Sequence, residues 1–345
     1  MLYSAVRRAL FSLDPETAHR VALAALKGLQ AVGLTGLVAP PPLSAPRRVM
    51  GIDFPNPVGL AAGFDKNGEH IELMSALGFG FIEVGTVTPR PQPGNPPPRL
   101  FRIPAKEALI NRLGFNNVGL DLLTRNIERA RFKGVLGINI GKNFDTPIER
   151  AHEDYLACLR RVYPIAAYVA VNISSPNTPK LRELQNTAEL ERLLAALKEE
   201  QRTLAATYGR YVPIAIKIAP DLSTGQVEEI AALIIKHEVD AAIATNTTVS
   251  REGVEDAPVA IEAGGLSGAP LRTRSTAVLR GLCAALEGRI PVIGVGGILS
   301  ARDALDKLDA GASLVQIYTG FIYRGPELVH EIVAALLQRE QCAAA

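Results

Sequence analysis

The segment Tyr168–Asn177 reads YVAVNISSPN and passes from an apolar run into a polar loop that contains a proline. The apolar run predicts a buried parallel strand, and Pro176 forces the chain out of that strand. Two hydroxyls and two carboxamides therefore gather at the carboxyl end of a strand. In a barrel of alternating strands and helices, catalytic side chains lie at that end. The same composition is also typical of an ordinary turn, so the surrounding pattern has to decide between the two.

Seven further runs of short, apolar and β-branched sequence alternate with helical patterns from Val58 onward. With the run above, the eight are Val58–Phe64, Phe81–Val87, Leu136–Lys142, Tyr168–Ser174, Pro213–Pro220, Ala241–Thr247, Pro291–Gly297 and Leu314–Gly320. Eight such units match the (β/α)8 or TIM barrel, an α/β fold of typically about 250 residues. A doubly wound open sheet is the alternative, but no G-x-G-x-x-G motif opens the first helix.

Two segments do not belong to a minimal barrel. Residues 1–42 are predicted to form two amphipathic helices, with Asp14 as the N-cap of the second and Pro15 as its first residue. Simple packing onto the barrel would explain their apolar stripes. Residues 43–345 would then form the barrel domain. The second segment, Pro89–Asn117, is predicted to form a hairpin over the barrel mouth.

Composition excludes several classes of function. The 345-residue chain is 48% hydrophobic and 21% charged, which indicates a globular protein. A net charge of +2 argues against a nucleic-acid partner. The three cysteines, Cys158, Cys283 and Cys342, lack C-x-x-C spacing, so we expect no metal site, no cysteine-ligated iron–sulfur cluster and a reducing compartment. No run approaches the ~20 apolar residues of a membrane span, and no signal-peptide core is predicted.

Several predicted strands carry polar residues where parallel strands are normally apolar. Asn139, Asn172 and Lys217 each lie between isoleucine or valine neighbours, and Thr245 and Asn246 end the sixth run. Period-2 alternation predicts that the first three point into the barrel. An unpaired buried polar group costs about 1–3 kcal/mol, so their convergence favours a ligand with carbonyls and ring nitrogens. A lysine between isoleucines favours an anionic partner or a shifted pKa.

Glycine-rich turns predict a phosphate site. Gly294–Gly297 ends the seventh run, Ser300 is the predicted N-cap of the next helix, and Tyr318–Gly320 ends the eighth run. Barrels often bind phosphate through backbone N–H groups at these last two loops. Gly264–Gly268 is predicted as a third glycine loop on the same side. Together with Lys217 and the asparagines, these turns favour a phosphorylated cofactor.

The longer motifs resemble those of the class 2, quinone-linked dihydroorotate dehydrogenases, which are FMN enzymes of pyrimidine biosynthesis. The motifs are AGFDKNG at 62–68, EVGTVT at 83–88, NRLGFNN at 111–117, NISSPN at 172–177 and GVGG at 294–297, and the resemblance covers essentially the whole chain. Class 1 relatives carry a cysteine where this chain has Ser175, and they lack the two N-terminal helices. The NAD-linked subtype also needs an iron–sulfur subunit, which the resemblance to class 2 does not imply.

The resemblance implies a set of site residues. FMN would contact Ala62, Gly63, Lys66, Thr86, Asn139, Asn172, Lys217, Thr245, Gly268, Gly297, Tyr318 and Thr319. Dihydroorotate or orotate would bind to Lys66, Asn111, Phe115, Asn172, Asn177, Asn246 and Thr247. These residue types suit the ligand, because its carboxylate needs a cation and its ring amides need groups that both donate and accept hydrogen bonds. By the same resemblance, Ser175 is the catalytic base, with Thr178 and water relaying its proton, and Lys217 stabilises negative charge on the reduced cofactor.

The resemblance also implies a role for the N-terminal helices. They would lie on the inner, cytoplasmic face of the cell membrane as a peripheral anchor and admit ubiquinone or menaquinone. His19, Arg102 and Tyr318 would line that entrance. Two alternatives stay open: another FMN-dependent barrel dehydrogenase, which need not combine Lys66, Asn111 and Asn177, and a non-catalytic membrane-associated barrel, which gives no reason for Lys217.

Overall fold

A computed structural model describes residues 2–344, without the side chains of Leu2, Ser4, Ala5, Ala343 and Ala344; Met1 and Ala345 lie outside the described residues. The helices are α1 Leu2–Phe11, α2 Pro15–Ala31, α3 Ile71–Ala76, α4 Leu120–Arg129, α5 Ala151–Val162, α6 Thr187–Tyr208, α7 Thr224–Lys236, α8 Arg272–Leu286, α9 Ala301–Asp309, α10 Thr319–Arg324 and α11 Glu327–Ala344. The strands are β1 Arg47–Val49, β2 Ile52–Phe54, β3 Val58–Leu60, β4 Phe81–Val87, β5 Leu100–Ile103, β6 Ala108–Asn111, β7 Val135–Ile140, β8 Tyr168–Asn172, β9 Ile214–Ile218, β10 Ala241–Ala244, β11 Gly265–Gly268, β12 Val292–Val295 and β13 Leu314–Ile317.

Eight strands close into a parallel barrel. Around the ring they are β3, β4, β7, β8, β9, β10, β12 and β13, so spatial order follows chain order. Each predicted run supplies one of these strands, and a helix follows every strand before the next barrel strand begins. The prediction of a (β/α)8 barrel is therefore confirmed.

The two faces of each barrel strand meet different surroundings. On β8, Val169 and Val171 join the large apolar core between the barrel and its helices, whereas Tyr168 and Ala170 join a smaller core inside the barrel. Asn172 continues the inward face of β8. Lys217 does the same on β9, because Ile216 beside it faces the outer core. Alternation along the strands thus delivers the polar residues to the barrel interior, as predicted.

A hairpin that the sequence analysis does not predict covers the amino ends of the barrel strands. Its two strands, β1 and β2, pair antiparallel. Phe54 at the end of β2 is fully buried, and its ring lies 5.1 Å from that of Phe81 in an edge-to-face arrangement. Phe81 in turn packs 6.4 Å from Tyr168. These aromatic rings fill the lower barrel, so polar chemistry is confined to the upper half.

A three-stranded antiparallel sheet stands over the carboxyl ends of the barrel strands. The hairpin predicted within Pro89–Asn117 is confirmed as β5 and β6. The prediction of a loop at Gly264–Gly268 is wrong, because Gly265–Gly268 forms β11 and pairs with β6. The close approach explains one glycine of this run: a Cβ at Gly268 would lie 2.1 Å from the carbonyl oxygen of Glu107.

The two N-terminal helices lie beside this sheet. Asp14 caps α2 as predicted, since its Oδ1 accepts hydrogen bonds from the backbone N–H groups of Glu16 and Thr17 at 3.1 and 3.0 Å. The Arg99 guanidinium donates two hydrogen bonds to the Glu16 carboxylate, at 2.9 and 3.0 Å. Arg102 donates to backbone carbonyl oxygens at the end of α1 and the turn that follows it. Charged contacts to the β5 region therefore hold both helices at the barrel mouth.

Candidate active site

A cavity of about 140 Å³ opens at the carboxyl ends of the barrel strands. It brings together residues that are far apart in sequence but that the sequence analysis predicts for one site. Its lining includes Ala62, Gly63, Lys66, Thr86, Asn111, Phe115, Asn172, Ser175, Asn177, Lys217, Thr245, Asn246, Thr247 and Tyr318. Strand ends and the loops after them position these side chains, which is the arrangement that a TIM barrel uses for catalysis.

A row of amide side chains crosses the cavity floor. The Asn172 Nδ2 donates to Asn139 Oδ1 at 3.3 Å, and Asn246 Nδ2 donates to Asn172 Oδ1 at 3.2 Å. Asn246 Nδ2 also donates to Ser174 Oγ at 3.0 Å. Because each amide offers its donor to the oxygen of the next, the row has a single direction. Asn139 is the innermost member and does not line the cavity itself.

A second pair of amides stands opposite this row. Asn177 Nδ2 donates to Asn111 Oδ1 at 3.1 Å, which links the loop after β8 to the end of β6. Asn111 Nδ2 lies 3.4 Å from the carbonyl oxygen of Gly265 on β11. Amides on two sides of the cavity can hold a flat ring that has alternating donors and acceptors.

Ser175 lies between the two sets of amides. Its side chain lines the cavity although the residue is largely buried, and its Oγ accepts a hydrogen bond from the backbone N–H of Asn177 at 3.2 Å. Thr178 is one turn further along the same loop. Its Oγ1 is buried and has no hydrogen-bond partner within residues 2–344. An unpaired buried hydroxyl is costly. The Thr178 hydroxyl is therefore suited to bind a water or to accept a proton that is transferred to it.

Lys217 reaches the cavity from β9 and has a carboxylate behind it. Its Nζ lies 3.8 Å from Oε1 of Glu83, a residue of β4 that is fully buried. Burial lowers the pKa of Lys217, and the Glu83 charge opposes that shift. The sequence predicts an anionic partner or a shifted pKa for this lysine, but it does not identify the partner. Glu83 satisfies the same test as Lys217, because it lies between Ile82 and Val84 in an apolar run.

Lys66 stands on the other side of the cavity, in the loop after β3. Burial is the main cause that lowers its pKa to about 8; the charge of Glu16 opposes this shift, and the charge of Arg99 adds to it. Arg99 and Glu16 are the pair that attaches α2, and neither is part of the predicted site. The charge state of Lys66 therefore depends on how the N-terminal helices are attached.

Besides Asn139, three residues that are predicted to bind the cofactor lie outside the cavity lining. They are Gly268, Gly297 and Thr319. Gly297 has φ +74°, and a Cβ there would lie 2.3 Å from Cα of Arg272, so the packing of α8 requires glycine at this position. Thr319 Oγ1 donates to Ser267 Oγ at 2.9 Å, and Ser267 does line the cavity. These residues form a second layer at the ends of β11, β12 and β13.

A groove of about 1690 Å³ runs from this site to the N-terminal helices. His19, Arg102 and Tyr318, the three residues predicted for the quinone entrance, all line it. His19 packs edge-to-face on Phe64 at 4.8 Å, and burial, assisted by Lys66, lowers its pKa to about 4. Its imidazole is therefore neutral near pH 7. Gly63, Lys66, Leu113 and Tyr318 line both the groove and the cavity, so the two spaces meet at these residues.

Apolar side chains on the first 42 residues face outward. Among the described side chains of this segment, six large apolar ones are exposed, namely Val6, Leu13, Val21, Val32, Leu34 and Leu37, with Val32 67% exposed. Helix α2 as a whole buries only Ala18 and Leu23. Packing onto the barrel alone does not explain it, because that would cover Val21, which is 46% exposed. Within residues 2–344, no helix is both long and apolar enough to cross a bilayer.

Comparison with known proteins identifies the family. The family model described as dihydroorotate dehydrogenase matches residues 44–339. The chain is 62% identical over 336 residues to the dihydroorotate dehydrogenase (quinone) of Methylobacillus flagellatus, covering 97% of this chain and 100% of the relative. It is 61% identical to that of Nitrosomonas europaea, with 98% of both chains covered.

Solved structures of similar fold carry the same family name. The crystal structure of DHODH from Eimeria tenella in complex with ferulenol superposes with a TM-score of 0.86 at 37% identity, covering 96% of this chain and 93% of that one. The ligand-free type from the same organism gives a TM-score of 0.84 at 38% identity, with 96% of both chains covered. The barrel, the N-terminal helices and these matches over nearly the whole length lead to one conclusion. The chain belongs to the dihydroorotate dehydrogenase family, in its quinone-dependent class.

Proposed function

We propose that this protein oxidises (S)-dihydroorotate to orotate with FMN as its cofactor and passes the electrons to a membrane quinone in pyrimidine biosynthesis. The observation that carries the proposal is the meeting of Lys66, Asn111, Asn177 and Ser175 in one cavity that continues into the apolar groove. A different FMN-dependent barrel dehydrogenase would have no need to combine these residues.

The residues present fit an FMN group. Lys217 offers an ammonium, and the amides of Asn172 and Asn246 offer both donors and acceptors, which suits the pyrimidine edge of a flavin. The polar layer of Ser267, Gly297 and Thr319 at the ends of the last strands suits a phosphate. A bound FMN would supply an acceptor for the hydride from carbon 6 of the substrate and a carrier of two electrons for the quinone.

The chain's own residues orient the substrate and move its proton. Lys66 pairs with the substrate carboxylate, while Asn111 and Asn177 hold the ring amides from one side and Asn172 and Asn246 from the other. Phe115 and Thr247 complete the wall of the pocket. Ser175 takes the proton from carbon 5, and its own hydroxyl proton passes through a water toward Thr178, whose Oγ1 lacks a partner within the described chain. A serine is a weak base without such an outlet.

The N-terminal helices bring the quinone to this site. We propose that residues 1–42 form a peripheral membrane-binding region on the cytoplasmic face of the cell membrane, attached to the FMN-binding barrel of residues 43–345. Its exposed apolar side chains would enter the headgroup region. A ubiquinone or menaquinone would then enter the groove between α1 and α2, past His19 and Arg102, and reach Tyr318 at the cavity.

We expect the purified protein to carry one FMN per chain and to lose its yellow colour on anaerobic mixing with dihydroorotate, without NAD. Absorbance near the flavin band measures both. A protein that lacks flavin absorbance, or that turns over only with NAD, would contradict the proposed function. Dihydrouracil serves as the control substrate, because it lacks the carboxylate that Lys66 would bind and should bleach the flavin far more slowly.

The pKa of Lys66 predicts how binding of orotate depends on pH. Since the pKa is about 8, the ammonium that pairs with the carboxylate is present below that pH and is lost above it. An ion-paired hydrogen bond contributes about 1.5–3 kcal/mol, so the affinity should fall about ten- to a hundredfold between about pH 6 and pH 10. Titration of the flavin spectrum with orotate measures it. Lys66→Met should bind orotate weakly at both pH values. If the affinity of that variant fell with pH as much as that of the wild type, the pH dependence would belong to another group.

A further inference from the structure

A cluster of buried polar groups lies directly beneath the proposed cofactor site. At its centre is Glu83, whose side chain points inward from β4 and is fully buried. Four strands send side chains toward its carboxylate: β7, β8, β9 and β13. Burial of a carboxylate is expensive unless it is paired and hydrogen-bonded, so the way in which these neighbours are arranged is informative.

The two carboxylate oxygens have different neighbours. Oε1 accepts a hydrogen bond from Asn139 Nδ2 at 2.8 Å and faces Lys217 Nζ at 3.8 Å. Oε2 accepts from the Tyr168 hydroxyl at 2.9 Å and from Gln316 Nε2 at 2.7 Å. Oε1 is thus directed toward the cavity, and Oε2 toward the apolar barrel interior.

Glu83 sets the direction of the amide row. A carboxylate only accepts hydrogen bonds, so Asn139 has to turn its NH2 group toward Glu83. Its oxygen then faces Asn172, and the same orientation continues to Asn246. Gln316 shows the same effect of the carboxylate on the orientation of a neighbouring amide. Its Nε2 donates to Glu83, although this orientation leaves its Oε1 buried without a partner among residues 2–344.

Glu83 is also the anion closest to Lys217. Within the described chain, the other titratable side chains that line the cavity are Lys66 and Tyr318, and Tyr168 lies on the far side of Glu83. The residues paired with Lys217 on the adjacent strands, Asn172 on β8 and Ile243 on β10, are uncharged. Burial alone would drive the lysine toward its neutral form, and an opposite charge at this distance acts against that.

We propose that Glu83 is a positioning residue: its buried charge keeps Lys217 an ammonium at the cofactor site. The inference rests on the proposed FMN function. It adds a residue that touches neither substrate nor cofactor but determines the charge of one that does. Removing the carboxylate should let Lys217 lose its proton at a lower pH than in the wild-type protein, and the site would then bind FMN less tightly as the pH rises.

Glu83→Gln isolates the charge. The new amide can keep its oxygen toward Asn139 and Lys217 and place its NH2 group where Oε2 stood. Gln316 can then turn its unpaired Oε1 to accept from that NH2, and the Tyr168 hydroxyl can accept as well. The direction of the amide row is therefore kept while the charge is lost. Tyr168→Phe is the matched control, because it removes one hydrogen bond to the same carboxylate and leaves the charge.

The experiment measures FMN binding to apoprotein by fluorescence quenching between about pH 6 and pH 9, for wild type and both variants. Relative to wild type, the dissociation constant of Glu83→Gln should rise about tenfold across this range, which corresponds to one unit of pKa. Tyr168→Phe should keep a constant ratio to wild type. If Glu83→Gln lost the same factor of FMN affinity at every pH, the role of Glu83 would be merely structural and the inference would be overturned. A wild-type protein that binds no FMN would instead contradict the proposed function.

Thermal unfolding provides an independent test, which also covers a Glu83→Gln protein too unstable to take up FMN. A buried lysine without its counter-ion destabilises a protein, whereas removing both charges is often tolerated. Glu83→Gln combined with Lys217→Met should therefore unfold at a higher temperature than Glu83→Gln alone. A double variant that is less stable than the single one by the full cost of Lys217→Met would show that the two residues are not coupled, and would equally overturn the inference.

Discussion

Ser175→Ala reduces its flavin about 10²–10⁴ times more slowly than the wild-type protein on mixing with dihydroorotate, which is the usual range for the loss of a general base. This is the expected result of stopped-flow measurement under anaerobic conditions. The fold and FMN content should be retained, because the Ser175 hydroxyl accepts a single hydrogen bond, from the backbone N–H of Asn177. Loss of such a bond costs about 0.5–1.5 kcal/mol.

Two further variants test whether the Ser175 side chain itself removes the proton. Ser175→Cys should keep more activity than the alanine variant, because a thiol can still lose a proton at the same place. Ser174→Ala removes the neighbouring hydroxyl, which is bonded to Asn172 and Asn246 rather than directed at the substrate. It should slow reduction by less than about tenfold and act mainly on binding. Reduction of Ser175→Ala within about threefold of the wild-type rate would assign proton removal to another group.

Deletion of residues 1–42 should separate the two half-reactions. We expect a soluble, yellow barrel that dihydroorotate still reduces and that still passes electrons to a small water-soluble dye. It should reduce long-chain quinones poorly and no longer sediment with lipid vesicles. The physical reason is that both helices precede β3, the first barrel strand, and are joined to the barrel mouth by side-chain contacts such as Arg99–Glu16 and Arg102 to the end of α1.

The opposite result has an equally clear meaning. If the helices only seal the barrel, the truncated chain should aggregate without flavin. If its quinone turnover is unchanged, the helices have no part in the acceptor site. A milder variant tests membrane contact without deletion: Val32→Glu places a charge directly after α2, on a side chain that is 67% exposed and does not line the groove, and should abolish sedimentation with vesicles. Val249→Glu is the matched control, since Val249 is similarly exposed, at 53%, but lies in the loop after β10.

The barrel could be predicted because its signals are local. Each strand is a short apolar run, and each following helix has its own periodicity, so eight repeats determine the architecture without knowledge of any long-range contact. The inward direction of Asn139, Asn172 and Lys217 follows from alternation within single strands. The N-cap at Asp14 is equally local, since its oxygen meets N–H groups two and three residues ahead.

The motifs also predicted most residues of the proposed site, but they did not predict which side chains form hydrogen bonds with each other. The pairing of Asn177 with Asn111 joins residues 66 positions apart, and that of Asn246 with Asn172 joins residues 74 apart. The wrong prediction at Gly264–Gly268 has the same origin. A glycine-rich run is typical of a loop, and only the edge of β6, more than a hundred residues earlier, makes it a strand.

By itself, then, the sequence determined the fold class, the family and the polar residues that face the barrel interior, because these depend on periodicity and on motifs along the chain. Only the tertiary structure decided which charge stands behind Lys217, which ion pair adjusts the pKa of Lys66, and where the apolar stripe of α2 points. The first depends on the 3.8 Å approach of Lys217 to Glu83 and the second on the 2.9 Å contact of Arg99 with Glu16, and at such distances Coulomb and hydrogen-bond energies depend steeply on placement. No local pattern encodes that placement, since closing the barrel is what brings the strands together.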